Sequence, residues 1–148
     1  MLNARGDMWQ ALDEADLFCI TTCNSIRNDG RLVMGAGIAK QAVHRFPGID
    51  LEAANILRVV YPSINPVYGL LQIPGKKIAL FQTKGNWFSD SSLKLILRST
   101  NDLSDWARNN PEKKAHLNYP GIGCGKLSRK TVSEVIEILP DNVTVWRL

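Results

Sequence analysis

Two glycine-rich segments are the features of this sequence with the clearest chemical meaning. Gly35-Ala36-Gly37-Ile38 leads into a predicted helix, and Gly121-Ile122-Gly123-Cys124-Gly125 follows a predicted strand. Glycine lets backbone N–H groups approach a phosphate closely, and a helix N-terminus attracts negative charge. We therefore predict that both segments bind a phosphate-bearing, nucleotide-like ligand. For the first segment, tight packing of the helix on a sheet is an equally good explanation.

Neither segment is one of the common phosphate-binding motifs. Lys40 stands where the dinucleotide fingerprint G-x-G-x-x-G has its third glycine. A Walker loop is excluded because Pro120 replaces its first glycine and Leu127 follows the lysine where Ser or Thr is required. Cys124 lacks the Arg that a cysteine phosphatase loop needs six residues after its nucleophile. The preferred interpretation of Cys124 is therefore a small residue lining the loop.

Lys84 is the candidate catalytic residue. It follows a predicted strand and precedes Gly85, where a side chain can point into a cleft. A lysine attacks an electrophilic carbon only as the uncharged amine, so burial or nearby positive charge must disfavour its protonation. A lysine that pairs with phosphate would occupy the same place and stay charged, and a solvated lysine is the third interpretation.

Strands and helices alternate along the chain, which predicts a layered α/β fold with a mostly parallel sheet and helices on both faces. Asp50 is predicted to cap the second helix, with Leu51 on its apolar face, and the strand 143–146 is predicted to close the sheet. In such sheets ligands bind beyond the carboxyl ends of the strands, where both glycine segments are expected. The predicted strands are 17–22, 67–73, 78–82, 115–119 and 143–146, and the predicted helices carry the apolar residues of 38–46, 51–57, 93–107 and 132–139.

Composition bounds the class of protein. The 148 residues, 45% of them hydrophobic, predict one domain over 1–148. No stretch approaches a membrane span and no apolar run of signal-peptide length opens the sequence, so a cytoplasmic location is expected.

The net charge of +4 suits an anionic ligand, without the basic tract of a nucleic-acid-binding protein. The spacing of three cysteines and two histidines indicates neither a disulfide framework nor a metal site, and no cofactor is predicted. A monomer is the default.

Taken together, the motifs resemble the macrodomain family, an ADP-ribose-binding module. The resemblance runs through six segments in order over nearly the whole chain, and it implies a three-layer α/β/α fold with a mixed, mostly parallel sheet. The motif M-G-x-G-I-A, with T-K further along the chain, resembles the branch of the terminal ADP-ribose glycohydrolase and of the antitoxins that remove ADP-ribose from DNA. The segments are Gly6-Asp7-Met8, Thr22-Cys23-Asn24, 34–39, 81–84, 121–125 and 143–146.

The resemblance implies a role for each candidate site residue. Asp7 would accept a hydrogen bond from the amino group of adenine, and the backbone of Met8 would lie beside it. Trp146 would stack on the adenine ring. The distal ribose would meet Asn24 and Ser25. One phosphate would meet backbone N–H groups of the first segment, at Gly35, Gly37 and Ile38, with Ala36 also in contact with the ligand. The second segment would surround the other phosphate and the distal ribose with Gly121, Ile122, Gly123, Cys124 and Gly125.

Each of these side chains has a second interpretation. Asp7 is also a suitable helix cap. Trp146 is equally suited to a core position at a strand end. Asn24 and Ser25 are common loop residues that bond their own backbone.

In this branch the lysine that matches Lys84 acts on the anomeric carbon of the distal ribose. The sequence departs from the branch in the connector after G-C-G. This connector between Gly125 and Leu127 consists of Lys126 alone, so it carries no carboxylate. Asp29 is a possible substitute acid, although an aspartate before Gly30 is more typical of a turn.

Four functions follow from these observations. The first is a hydrolase that removes ADP-ribose from a modified macromolecule, protein or nucleic acid, or from a small ester. The others are a non-catalytic ADP-ribose reader, a phosphatase acting on ADP-ribose 1-phosphate, and a plain nucleic-acid-binding module. Arg27 and Arg31, with Trp87 as a stacking face or as core, could receive a nucleic-acid substrate.

Overall fold

A six-stranded sheet in the order β1-β6-β5-β2-β4-β3 lies at the centre of the fold. The computed structural model describes residues 1–148 apart from the side chain of Cys124. All neighbouring strands are parallel except β3, which pairs antiparallel with β4. The strands are β1 Leu2–Arg5, β2 Leu17–Thr22, β3 Leu70–Gln72, β4 Ile78–Gln82, β5 Ala115–Asn118 and β6 Val143–Arg147. The helices are α1 Gly37–Arg45, α2 Ile49–Val60, α3 Leu93–Asn109 and α4 Arg129–Ile136, with 3-10 helices at Met8–Ala11 and Gly123–Gly125.

Alternation along β2 explains why helices cover both faces of the sheet. Phe18 and Ile20 belong to a core cluster that includes the buried residues of α1 and α2. Leu17 and Cys19 point to the opposite face and belong to a cluster with the buried residues of α3 and α4. Successive side chains of a strand face opposite sides, so a strand with no polar residue at these positions must be covered twice. The predicted α/β fold with helices on both faces is confirmed.

Two details of the helices differ from prediction. Gly48, not Asp50, is the residue before the first turn of α2. Asp50 is buried inside that turn, where its Oδ1 lies 2.9 Å from Arg31 Nη1. Leu51 is exposed, and Ala53 takes its place on the buried face. Ser92 caps helix α3 by accepting a hydrogen bond from Leu95 N.

The ends of the sheet also differ from prediction. β6 does not close the sheet, since it lies between β5 and the unpredicted edge strand β1. The predicted strand 67–73 shortens to Leu70–Gln72. β1 carries the sequence LNAR with mostly exposed side chains, so no apolar pattern marks it and its backbone pairing with β6 defines it. Among the described residues, no helix has the length and apolar character needed to span a membrane.

Candidate functional site

The five parallel strands end at one edge of the sheet, which we call the strand-end edge. The segments that follow them carry most of the candidate site residues, as the strand-end rule for α/β sheets predicts. Asp7 and Met8 follow β1, Asn24 and Ser25 follow β2, and Lys84 follows β4. The second glycine segment follows β5, and Trp146 is the penultimate residue of β6.

Backbone pairing between β2 and β4 continues past the strands and brings Asn24 and Lys84 together. Thr22 pairs with Gln82, and beyond that pair Thr83 N donates to Thr22 O at 3.0 Å. Asn24 N then donates to Gly85 O at 2.9 Å. Lys84 is half-buried beside this junction. The burial of Cys23 raises the pKa of its thiol, and the nearby positive charge of Lys84 opposes that rise.

The side chains of Asn24 and Ser25 join separate loops. Asn24 is buried, and its Nδ2 donates to Asn65 Oδ1 at 2.6 Å and to Pro66 O at 2.9 Å. Ser25 Oγ accepts from Trp87 N at 3.0 Å. These partners lie in the loop before β3 and in the loop after Lys84. Both side chains therefore brace the strand-end edge against distant loops and do not follow the pattern of local turn residues.

Gln82 is a supporting residue that the sequence analysis did not identify. It is fully buried at the end of β4, where its Oε1 accepts from Tyr68 N at 2.9 Å and its Nε2 donates to Pro66 O at 3.1 Å. Pro66 O is also the acceptor for Asn24 Nδ2. Gln82 thus fixes the loop on which Asn24 rests. The only sequence signal for it is an amide residue that ends an apolar run, Ile78–Gln82.

The first glycine segment is open to solvent. A Cβ atom added to Gly35 or Gly37 would meet nothing within 4 Å, which argues against tight packing as the reason for these glycines. Gly37 has a φ of 55°, a conformation that favours glycine, whereas Gly35 has no such requirement. Ala36 precedes α1 without a capping side chain, so the first amides of α1 have no partner from that position. Val33 N donates to Ser25 O at 2.8 Å and holds this segment beside the end of β2.

The second glycine segment is closed against α3. Leu127 N donates to Gly121 O at 2.9 Å, and Ser91 N donates to Gly125 O at 3.0 Å. A Cβ atom at Gly121 would lie 2.7 Å from Ile96 Cδ1, so packing within the protein explains this glycine. Gly123 has a φ of 66° and faces open space.

Ile122 and Cys124 complete the second segment. Ile122 is half-buried against the cluster on the α3 and α4 face of the sheet. The Cys124 side chain lies outside the described part of the structure, so the interpretation of this residue as loop lining stays a prediction.

Gly125 gives a direct test of this packing. A Cβ atom there would lie 2.3 Å from Ser91 Oγ, so we expect Gly125→Ala to lower the free energy of unfolding by about 1–3 kcal/mol, as overpacking does. Removing the hydroxyl in Ser91→Ala should restore part of the loss, which urea denaturation of the two single variants and the double variant would measure. Equal losses in the single Gly125→Ala and the double variant would contradict this account.

Asp7, Met8 and Trp146 lie around the 3-10 helix Met8–Ala11. Asp7 is exposed and caps this helix by accepting from Trp9 N at 3.0 Å. Met8 is buried in the core beneath. Trp146 is half-buried against the same core, and its Nε1 donates to His116 Nδ1 at 2.9 Å. Gly6 N donates to Arg147 O at 2.8 Å, which brings Asp7 beside the end of β6.

Comparison with known proteins identifies the fold. No family model matches the chain, and no curated protein matches its sequence. The macrodomain of Thermus aquaticus DarG is 25% identical, with a TM-score of 0.68 over 98% of this chain and 95% of its own. The chain has the macrodomain fold. The macrodomain of Mycobacterium tuberculosis DarG agrees, at 23% identity and a TM-score of 0.69 over 99% of this chain and 98% of its own.

A third structure extends the comparison to a longer protein. Thermosipho africanus DarTG, in complex with ADP-ribose, is 18% identical to this chain, with a TM-score of 0.68. The match covers 99% of this chain and 41% of that one, so this chain corresponds to one part of the longer chain. The macrodomain resemblance stated from the sequence motifs is confirmed by these structures.

The surroundings of Trp87 and Asp29 bear on the alternatives that the sequence analysis gave for these two residues. Trp87 is 57% exposed and stands edge-on to exposed Phe88, with ring centroids 5.7 Å apart, so core packing does not explain it. Asp29 pairs with Arg27 and also accepts from Arg31 N at 3.2 Å, as a turn aspartate does. The hydrogen bond from the Arg27 side chain lowers the pKa of Asp29.

Asp90 is the carboxylate that the structure brings to the second glycine segment. Its Oδ1 lies 3.9 Å from Lys126 Nζ, and both side chains are exposed. The adjacent residues bridge the two loops, because Ser91 N donates to Gly125 O and Ser92 N donates to Thr83 O at 2.8 Å. The sequence analysis did not consider Asp90 for chemistry.

Two surface hollows have linings that include no residue of the glycine segments. One, of about 280 Å³, is lined by the end of α2 and the following loop, including Tyr61 and Ile64. The other, of about 260 Å³, is lined by Lys40, Gln41, His44 and Arg45 on α1. Among the side chains that the structure describes, no three His, Cys, Asp or Glu residues are grouped so that they could hold a metal ion.

Proposed function

We propose that this macrodomain binds ADP-ribose along the strand-end edge and hydrolyses the bond between ADP-ribose and an attached group. The similarity to the DarG macrodomains and the ADP-ribose bound in the Thermosipho complex support this proposal. The observation that carries it is an uncapped, open helix N-terminus at Gly35–Gly37 beside the junction of Asn24 and Lys84. Backbone amides there are suited to a phosphate, and the junction is suited to the ribose beyond it.

The assigned contacts follow the strand order. Adenine lies between Asp7, the Met8 backbone and the Trp146 indole at the β1–β6 end. The pyrophosphate lies between the segments 35–38 and 121–125. The distal ribose lies against Asn24 and Ser25, within reach of Lys84.

The proposed reaction has two steps at the anomeric carbon of the distal ribose. The unprotonated Nζ of Lys84 attacks this carbon while its bond to the attached group breaks. The attached group leaves with the electron pair and takes up the proton that Nζ loses. Water then adds to the same carbon, the carbon–nitrogen bond breaks, and Nζ regains a proton from the water. The sum consumes one water and releases ADP-ribose and the attached group.

We assign Asp90 to the second step of this reaction. The residues that follow Asp90 are bonded to Thr83 on one side and to Gly125 on the other, so the main chain after Asp90 links the lysine loop to the second glycine segment. A carboxylate can accept a proton from the attacking water and pass it to Nζ as the carbon–nitrogen bond breaks. This assignment supplies the acidic group that the short Gly125–Leu127 connector lacks.

A reader without turnover is the second candidate function. It is favoured by the connector itself, where Lys126 adds a positive charge in place of a carboxylate. Such a protein would use Lys84 and Lys126 only to attract phosphate.

Titration calorimetry with ADP-ribose tests the proposal, with ADP and ribose 5-phosphate as partial ligands. We expect ADP-ribose to bind more tightly than either fragment, because its adenine, pyrophosphate and distal ribose contact different segments of the strand-end edge. Incubation with ADP-ribosylated DNA and ADP-ribosylated protein then separates hydrolase from reader by the release of ADP-ribose. Absence of ADP-ribose binding would reject both functions.

A further inference from the structure

His116 is a buried histidine that no step of the proposed reaction uses. It lies on β5 with 3% of its surface exposed, and its Nδ1 accepts a hydrogen bond from Trp146 Nε1 at 2.9 Å. The two rings are tilted against one another with centroids 6.0 Å apart. An indole N–H only donates, so this contact requires Nδ1 without a proton.

The charged groups that act on His116 come from two sides. The Glu14 carboxylate lies 3.1 Å from Nε2, and Glu14 is located in the turn before β2. This contact is electrostatic, because among the described residues no partner makes an aligned hydrogen bond with Nε2. Lys114, the residue before β5, opposes protonation of the ring. A neutral His116 with its proton on Nε2 leaves Nδ1 free to accept from Trp146 Nε1, while Glu14 acts on the ring through its charge.

We propose that His116 is a positioning residue, which holds the Trp146 indole in the orientation that receives adenine and releases it when Nδ1 is protonated. The inference rests on the proposed function, since it takes Trp146 as the adenine-stacking face. Trp146 is half-buried at the strand-end edge, and the hydrogen bond to His116 is the side-chain contact that fixes its indole nitrogen. Protonated His116 has no acceptor for this N–H, so the indole loses its buried partner.

The direction of the pH dependence follows from burial. Desolvation lowers the pKa of His116 below its usual 6.5, and Glu14 opposes this effect. Because the folded-state pKa is the lower one, the neutral ring stabilises the fold above pH 6.5, and this stabilisation is lost as the pH falls through the folded-state value. ADP-ribose affinity is expected to fall in the same range, by about threefold to tenfold, as a lost hydrogen bond would predict.

The test begins without ligand, by NMR of the indole N–H groups of the four tryptophans between pH 5 and 8. Trp146→Phe assigns the resonance of Trp146. We expect this resonance to move with pH in the wild type and in His44→Gln, which removes the exposed histidine of α1, and to stay fixed in His116→Gln. Glu14→Gln should shift its midpoint to lower pH, because it removes the charge that favours protonation.

ADP-ribose titrations over the same pH range complete the test. The inference holds if affinity falls at acid pH in the wild type and in His44→Gln but not in His116→Gln. A Trp146 resonance that does not respond to pH, or an equal loss of affinity in His116→Gln, overturns it. A wild type that shows the expected NMR response but binds no ADP-ribose at any pH rejects the proposed function instead, which keeps the two failures distinct.

Discussion

Replacing Lys84 with alanine is expected to lower the release of ADP-ribose from a modified substrate by at least about 100-fold, or about 2.7 kcal/mol of transition-state stabilisation. The backbone of this loop is held by Asn24 N, which donates to Gly85 O, and by Gln82, so removing the lysine side chain leaves its surroundings in place. We therefore expect ADP-ribose to bind Lys84→Ala within a few-fold of its wild-type affinity. Rapid-quench turnover and calorimetry measure the two quantities separately.

The matched control is Lys94→Ala, which removes the same charge from an exposed position on α3 and should change neither quantity. Asp90→Asn belongs in the same assay, because the proposed second step predicts slower turnover, by about tenfold or more, with unchanged binding. If Lys84→Ala loses affinity but keeps its turnover rate, Lys84 pairs with phosphate and is not the nucleophile. Equal turnover in Asp90→Asn and the wild type removes Asp90 from the reaction.

Sequence patterns predicted the elements that are defined by burial. The run Leu17–Thr22 and the run Ile78–Gln82 were predicted with the bounds that the structure shows, because an unbroken apolar segment between turns has one stable place, inside a covered sheet. β1 has the opposite character. Its side chains are largely exposed, and only its backbone pairing with β6, more than 130 residues away, defines it as a strand.

The candidate site also contains residues that the sequence predicted and supporting contacts that it did not. The strand-end rule predicted the place of the glycine segments, and Lys84 was expected directly after a strand, whereas Asn24 was implied only by the family resemblance. The supports of these residues depend on long-range contacts that no local pattern encodes. Asn24 rests on Pro66, which is 42 residues away, and Trp146 rests on His116, which is 30 residues away. The sequence analysis proposed the same phosphate-binding role for all of these glycines. Contacts within the protein distinguish them, because packing against Ser91 leaves no room for a side chain at Gly125, whereas a side chain at Gly35 would meet nothing.

Gly35 is the position where this separation has the largest consequence for binding. We expect Gly35→Glu to weaken ADP-ribose binding by at least about 100-fold, or about 2.7 kcal/mol. The added carboxylate would stand where the amides at the N-terminus of α1 are proposed to receive the pyrophosphate, so like charges would meet at close range. The fold should tolerate the change, because a Cβ atom at Gly35 meets nothing within 4 Å and Gly35 has no positive φ. We expect its free energy of unfolding to stay within about 0.5 kcal/mol of the wild type.

The control must carry the same change in net charge away from the proposed pyrophosphate site. Gln72→Glu meets this need, since Gln72 is exposed on β3, the strand at the other end of the sheet from β1. Calorimetry with ADP-ribose and urea denaturation of both variants separate a local effect from general electrostatic repulsion and from unfolding. A Gly35→Glu variant that folds normally and binds ADP-ribose as well as Gln72→Glu does would mean that the pyrophosphate lies elsewhere. In that case the open glycines of the first segment would serve only to start α1, because nothing else in their surroundings requires the absence of a side chain at Gly35.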